Sequence, residues 1–224
     1  MDKPVWTIMK ILNWTKQHFE AKGVENPRLD AEVLLCAVLK CERIKLYTEF
    51  DKPLSEEERD KMRSYVERRA KHEPLAYIIG ERAFMRNNFK VTPATLVPRP
   101  ETELLAERAV RALQDFGSGA HALDLCCGSG CLGITLALEV PSAQVDVADL
   151  SEDALAVTRK NAERLGAQVS LHQGDLWDAV DAKQYQLIVS NPPYIPDADC
   201  LALQAEVMRE PPMALKGGMD GLDF

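Results

Sequence analysis

The residues of this sequence best suited to chemistry are the stretch Asn191-Pro192-Pro193-Tyr194 and three aspartates, Asp124, Asp149 and Asp175. Two consecutive prolines fix φ and remove two N–H donors, leaving carbonyls that no local ladder uses. Asn191 adds a side-chain carbonyl acceptor, and Tyr194 a flat ring with a polar tip. Two acceptors beside an aromatic plate suit a planar group bearing NH2. The lone pair of such a nitrogen is delocalised. Accepting both of its N–H bonds would fix the group and aim the nitrogen at an electrophile. The plainer alternative is a tight Pro-Pro loop with a capping Asn, and a tetrapeptide alone does not separate the two.

The aspartates frame a glycine loop. Asp124-Leu125-Cys126-Cys127-Gly128-Ser129-Gly130-Cys131-Leu132-Gly133 contains G-x-G-x-x-G at Gly128, Gly130 and Gly133. Glycines there let the backbone approach a ligand and turn sharply into a helix. Asp149 follows about 20 residues on, where a carboxylate accepts from ribose hydroxyls. Asp175 stands in Gly174-Asp175-Leu176, level with where an adenine would lie. Three carboxylates make a poor host for a pyrophosphate and a better one for a nucleoside carrying an amine and a sulfonium. The alternative is that each aspartate merely caps a helix or turn.

Strand–helix alternation positions these groups, as in a parallel α/β sheet. The pattern predicts strands over 120–125, 144–148, 168–172 and 185–190, with helices over 129–139 and 152–165. Ligands of such sheets bind at the carboxyl ends of the strands, where Asn191 and the aspartates fall. Upstream, 3–22 carries a wide apolar helical stripe ended by Gly23. Asn26-Pro27 reads as an N-cap and N1 proline for a second helix. Ser55 and Glu58 form a capping box for a third helix running to about Lys71, rich in Arg and Lys. From Pro74 to Pro98 the pattern is strand-like over Ala76-Tyr77-Ile78-Ile79 and again around Phe84 and Phe89, with Asn87-Asn88 as the hairpin turn. Pro100 and the glutamates Glu101 and Glu103 open a helix to about Gln114. The expected domains are therefore a helical bundle over 1–73, a β-hairpin linker over 74–98 and an α/β domain over 99–224.

Composition narrows the function classes. The 224 residues are 46% hydrophobic and 28% charged, ordinary for a globular protein. No apolar run approaches the ~18 residues of a membrane span. Lysines and a glutamate interrupt the apolar N-terminus, which is no secretory leader. The six cysteines form no C-x-x-C pair, so neither a disulfide framework nor a zinc or other metal site is expected, and a cytoplasmic setting with reduced thiols is. Residues 1–98 hold 18 Lys+Arg against 15 Asp+Glu, a net of +3; residues 99–224 hold 9 against 20, a net of −11. That acidity disfavours a stable nucleic-acid partner, because phosphate neutralisation drives such binding.

D-x-C-x-G-S-G, the acidic end of the second strand, G-D-L after the third and N-P-P-Y after the fourth resemble class I S-adenosylmethionine-dependent methyltransferases acting on planar amino nitrogens. With Pro98-Arg99-Pro100-Glu101-Thr102-Glu103, the helical N-terminal region and the tail Glu210-Pro211…Gly217-Gly218…Gly221-Leu222, the chain resembles the release factor glutamine methyltransferases, the PrmC/HemK family. The resemblance implies a Rossmann-like α/β domain that methylates the glutamine of the Gly-Gly-Gln motif of peptide chain release factors, with S-adenosylmethionine as cofactor. It implies that Cys126, Cys127, Gly128, Ser129 and Gly130 wrap the methionine portion, Asp149 holds the ribose, and Asp175 and Leu176 frame the adenine. Asp124, Leu150 and Asn191 complete the cofactor site. Asn191 and the Pro192 carbonyl would accept the amide hydrogens, Tyr194 would pack on the amide, and Pro193 would complete the substrate site. The helical bundle would dock the release factor. Cys126 stands where related loops often carry glycine, so φ there is expected to suit a side chain. The family's sheet has more strands than this sequence supplies before Phe224, implying a C-terminally incomplete sheet whose last strand is an exposed apolar edge. The competing readings are a glutamine methyltransferase of a ribosomal protein, an adenine-N6 nucleic-acid methyltransferase, and a non-catalytic cofactor- or partner-binding module.

Overall fold

The computed structural model describes residues 5–180 and 184–224 and divides into two compact units, one ending at Ile79 and the other beginning at Gly80.

The first unit is helical. Helix α1 spans Ile8–Ala21, capped by the Thr7 hydroxyl accepting from the Lys10 N–H, and the chain leaves it through Gly23 at φ +71°. The expected start at residue 3 lies outside the described residues. Helix α2 covers Pro27–Leu39 with Pro27 in its first turn, although the Asn26 side chain makes no cap bond. A short α3, Lys45–Thr48, follows. Helix α4, Glu56–Arg69, opens with the expected capping box: Ser55 N–H donates to Glu58 Oε2 at 2.7 Å, and Glu58 N–H to Ser55 Oγ at 3.2 Å. Leu12, Phe19, Leu34, Leu35, Leu46 and Met62 fill the core between these helices. Much of the basic character of α4 is spent internally. Arg69 is buried and donates to Asp30 at 2.7 Å, Arg68 pairs with Glu73, and Arg63 pairs with Asp60.

Two readings of the segment after Pro74 are corrected. Residues Leu75–Ile79 form a short helix, α5, not a strand. The Pro74 carbonyl accepts from the N–H groups of Tyr77 and Ile78, and Arg68 donates to the carbonyls of Tyr77 and Ile78, so local and tertiary bonds together satisfy one helical turn. The hairpin consists of β1, Glu81–Phe84, and β2, Asn87–Lys90, with Phe84 paired to Asn87. Asn87 and Asn88 are thus strand residues, and the turn is Met85-Arg86. The Glu103 carboxylate accepts from the Met85 N–H at 2.8 Å, which favours that turn over the one asparagine would choose locally. The hairpin is part of the second unit: Asn161 donates to the Lys90 carbonyl and accepts from the Lys90 N–H at 2.7 Å.

In the second unit, α6 (Pro100–Asp115) precedes β3 (His121–Leu125), α7 (Cys131–Glu139), β4 (Gln144–Asp149), α8 (Glu152–Leu165), β5 (Ser170–Gln173) and β6 (Leu187–Ser190). The four strands β3 to β6 make one parallel sheet in the order β5-β4-β3-β6. Ala122, Ile134, Leu136, Val145 and Val147 form the centre of its core. The chain passes from β3 outward to β4 and β5, then returns to the other side of β3 with β6. The strand order therefore reverses between β3 and β6, the place where such sheets open a crevice at their carboxyl ends. β6 is an edge of this sheet, and Ile188 on it is 44% exposed, as the sequence led one to expect.

Candidate active site

Asn191 leaves β6 beside the end of β3, where the Ser190 hydroxyl donates to the Leu125 carbonyl at 2.8 Å. Three alternate positions turn left-handed: Cys126 at φ +60°, Gly128 at +55° and Gly130 at +78°. The value at Cys126 corrects the expectation that φ there would suit a side chain, because this region costs an L-residue about 1–2 kcal/mol. At Gly130 a Cβ would lie 2.6 Å from Thr158 Cγ2, and at Gly133 one would lie 2.4 Å from Val147 Cγ1. Glycine is therefore required at the end of the loop, Gly130, for packing on α8, and within α7, at Gly133, for packing on the sheet. Helix α8 also holds the loop's outer backbone. The Thr158 hydroxyl donates to the Gly128 carbonyl at 2.9 Å and Asn161 Nδ2 to the Ser129 carbonyl at 2.9 Å.

Two cavities adjoin here. The first, about 220 Å³, is lined by Cys126, Cys127, Gly128, Ser129, Asp149, Leu150, Asp175, Leu176, Asn191 and Pro193, together with Leu96, Thr102, Met213, Ala214 and others. The second, about 330 Å³, is lined by Asn191, Pro192 and Tyr194 with Arg99, Glu101 and Thr102. Asn191, Leu96, Thr102 and Ala214 belong to both linings. Among the described residues the Asn191 side chain and the Pro192 carbonyl accept no hydrogen bond, so both acceptors are available to a ligand.

The aspartates divide into two kinds. Asp149 Oδ2 accepts from the Gly128 N–H at 2.8 Å and Oδ1 from the Ser151 N–H at 2.9 Å, which orients the carboxylate and leaves each oxygen with a further lone pair. Asp124, expected in the cofactor site, does not line the cavity. It is fully buried behind the loop, with Oδ2 accepting from the Gly133 N–H at 2.8 Å and Oδ1 without a partner among the described residues. Burial pushes its carboxyl up to about 7; the Gly133 bond opposes the shift and the charge of Asp149 adds to it. Asp124 thus holds the first turn of α7 through the Gly133 N–H and lies outside the cavity lining. Gly130 likewise turns the loop but lies outside the lining. Pro193, expected beside the substrate, falls on the first cavity instead. Burial raises the thiols of Cys126 in the loop, to about 11, and of Cys131 at the start of α7, to about 12, so at neutral pH both stay protonated.

Comparison with known proteins agrees with this geometry. Residues 10–80 match the model of the PrmC N-terminal domain, and residues 101–219 that of the methyltransferase small domain. A release factor glutamine methyltransferase of Geobacter sulfurreducens is 49% identical over 225 residues, covering 100% of this chain and 78% of that protein. Proteins of the same description from Rhodopirellula baltica and Moorella thermoacetica are 40% and 39% identical, covering 98% and 97% of this chain and 76% and 77% of their own lengths. The chain belongs to the release factor glutamine methyltransferase family. It is an S-adenosylmethionine-dependent methyltransferase with a Rossmann-like α/β domain.

The residues present fit the family's cofactor. The lining of the first cavity combines apolar side chains, Leu150, Leu176 and Met213 among them, suited to a purine, with Asp149 and Asp175, suited to hydroxyls and positive charge. Sequence reasoning missed part of this lining. Leu96, Thr102, Met213 and Ala214 come from the segments before β3 and after β6. The tail supports the N-P-P-Y loop through a parallel bridge of Ile195 with Lys216, in which the Gly217 N–H donates to the Ile195 carbonyl at 2.8 Å. A Cβ at Gly217 would lie 2.8 Å from Tyr194 Cα, and one at Gly221 would lie 2.4 Å from the Tyr194 carbonyl oxygen. The glycine density of the tail was the available signal. No helix among the described residues is long and apolar enough to cross a membrane.

Proposed function

We propose that this protein transfers a methyl group to the side-chain amide nitrogen of the glutamine in the Gly-Gly-Gln motif of peptide chain release factors. The observation that carries this reading is that Asn191 lies in the lining of both cavities, with Pro192 and Tyr194 on the side away from the cofactor loop.

When bound, S-adenosylmethionine supplies an electrophilic methyl group on a sulfonium. Asp149 would hold the ribose hydroxyls, Asp175 and Leu176 would frame the purine, and the backbone of Cys126 to Ser129 would enclose the amino-acid end. Asn191 Oδ1 and the Pro192 carbonyl would each accept one N–H of the glutamine amide, fixing its plane, while the Tyr194 ring covers it. Among the described residues neither acceptor is occupied by a donor, and two prolines hold the loop stiff. Catalysis is then mainly orientation, which can supply a large share of the rate, and no base is needed before transfer. The 65% exposure of Tyr194 leaves the second cavity open to a protein loop.

The reaction belongs in the cytoplasm, where release factors act, and needs neither membrane nor stable nucleic-acid partner. The helical unit carries no chemical group that the transfer requires, and its role is to grip the substrate protein. Isotope-labelled S-adenosylmethionine incubated with the protein and a purified release factor should place one methyl group on the Gly-Gly-Gln glutamine, located by peptide mass spectrometry. Label on a ribosomal protein or on adenine instead would replace the substrate assignment with one of its rivals.

A further inference from the structure

The second cavity contains a cation that the methyl transfer does not use. Arg99 is the N-cap residue of α6, in extended conformation at φ −98° and ψ 145°, and Pro100 after it fixes the entry into the helix. Its Nη2 donates to Glu210 Oε1 at 2.5 Å, and the side chain remains 35% exposed. Glu210 is only 3% exposed, and its other oxygen accepts from the Val97 N–H at 2.9 Å. One buried carboxylate therefore ties both the backbone and the guanidinium of the segment before α6 to the tail. The pair is separated by 111 residues in sequence, so it is a tertiary clamp and not a local turn.

A guanidinium has five N–H donors in a fixed fork, and Glu210 engages the fork from one side. Arg99 lines the same cavity as Asn191, Pro192 and Tyr194, and with its side chain 35% exposed the fork keeps donors beyond the one that Glu210 takes. The chemistry of its ligand follows from the neighbours. Glu101 lines this cavity too, and Glu210 already offsets the charge of Arg99, so a carboxylate or phosphate would meet net negative charge. Neutral carbonyl oxygens are the match. A peptide offers these next to the amide that Asn191 would hold.

We propose that Arg99 is a substrate-binding residue, donating to backbone carbonyl oxygens of the segment that carries the target glutamine, and that Glu210 is its positioning residue. This rests on the glutamine reading above, and it adds a contact that is blind to the glutamine side chain. The two contacts are therefore separable. Asn191 serves only a substrate with the glutamine, whereas Arg99 serves any segment with the same backbone.

The test is calorimetric binding of two release factors, the natural one and one with alanine in place of the Gly-Gly-Gln glutamine, together with KM and kcat for the natural one. Arg99→Gln should weaken binding of both by a similar factor, roughly 10- to 100-fold, the range for hydrogen bonds from a charged donor. KM should rise accordingly, with kcat and S-adenosylmethionine affinity changed by no more than a few-fold. Arg99→Lys should restore part of the loss. Glu210→Gln should raise KM in the parent and add nothing on top of Arg99→Gln. Asn191→Ala should weaken binding of the natural factor alone. Parental KM in Arg99→Gln, or a KM that rises in step with the cofactor Kd, overturns the role of Arg99. An added loss from Glu210→Gln in the Arg99→Gln background overturns the role of Glu210. If Arg99→Gln behaves as expected but Asn191→Ala weakens both factors alike, the glutamine reading fails while the backbone contact stands.

Discussion

Replacing Gly130 by alanine tests whether the cofactor loop is held as tightly as its contacts indicate. Two costs apply. The residue sits at φ +78°, where a side chain costs about 1–2 kcal/mol. The new Cβ would also lie 2.6 Å from Thr158 Cγ2, 2.9 Å from Ile134 Cδ1 and 3.1 Å from Thr158 Oγ1. Thr158 has little freedom to retreat, because it is fully buried and its hydroxyl donates to the Gly128 carbonyl. Overpacking of this kind costs about 1–3 kcal/mol, for a total of roughly 2–5 kcal/mol. Gly128→Ala is the internal control. Its φ is +55°, yet nothing lies within 4 Å of a Cβ there, so only the conformational cost applies. Denaturant titrations of the two variants should differ by about 1–3 kcal/mol, Gly130→Ala being the weaker. Gly130→Ala should also weaken S-adenosylmethionine binding, since a displaced Thr158 releases the loop carbonyl. Equal stability losses at the two glycines would refute the close packing of loop on α8.

Asp149→Ala should weaken S-adenosylmethionine binding by roughly 1.5–3 kcal/mol, with calorimetry as the check and unchanged affinity as the contrary result. Asp124 gives a pH dependence. Its folded-state pKa, about 7, lies above the usual carboxylate value of 3.8, so the folded state binds the extra proton between these limits. The stability it contributes is fully present below pH 3.8 and is lost as pH rises through 7. Asp124→Asn keeps an acceptor for Gly133 and should flatten that part of the stability–pH profile; a profile parallel to the parent would contradict the buried, protonatable carboxyl. Cys126→Gly should relieve the left-handed strain at φ +60°. Glycine loses more backbone freedom on folding, so the net gain should be at most about 1 kcal/mol, read as a shift in the denaturation midpoint, and a clear loss would argue against that conformation.

Most of what positions the site was legible because local pattern and tertiary role coincide. The β-branched run ending at Ser190 reads as a strand closed by turn residues and forms β6, although at the sheet edge only Val189 of it is buried. The glycines of the loop announce a turn, and Asp149 and Asp175 stand at strand ends, where the sheet delivers them to one cavity. The misreadings occur where a distant partner decides. Glu103 selects Met85-Arg86 as the hairpin turn against the local preference of Asn87-Asn88, and Arg68 stabilises a helical turn where Ala76 to Ile79 look like a strand. Asp124 stands at a strand end as well, yet spacing does not reveal on which side of the backbone a carboxylate lies, and this one is buried outside the cavity lining. Glu210 was visible only as part of a tail motif, since its partners Val97 and Arg99 lie more than a hundred residues away. The richness of α4 in arginine was legible, but not that Arg69 is buried on Asp30, because that partner lies 39 residues away.

The central claim is that Asn191 and the Pro192 carbonyl orient a glutamine amide at the junction of the two cavities. The most direct measurement is the single-turnover rate of methyl transfer to an intact release factor by Asn191→Ala, with both cofactor and release factor saturating. Losing one preorganised polar partner should slow transfer on the order of 10²–10³-fold while the fold stays intact. Tyr194→Phe, measured alongside, should be far milder, because covering the amide needs the ring and not the hydroxyl. Transfer by Asn191→Ala at the parental rate would contradict the account and leave Asn191-Pro192-Pro193-Tyr194 as a structural loop.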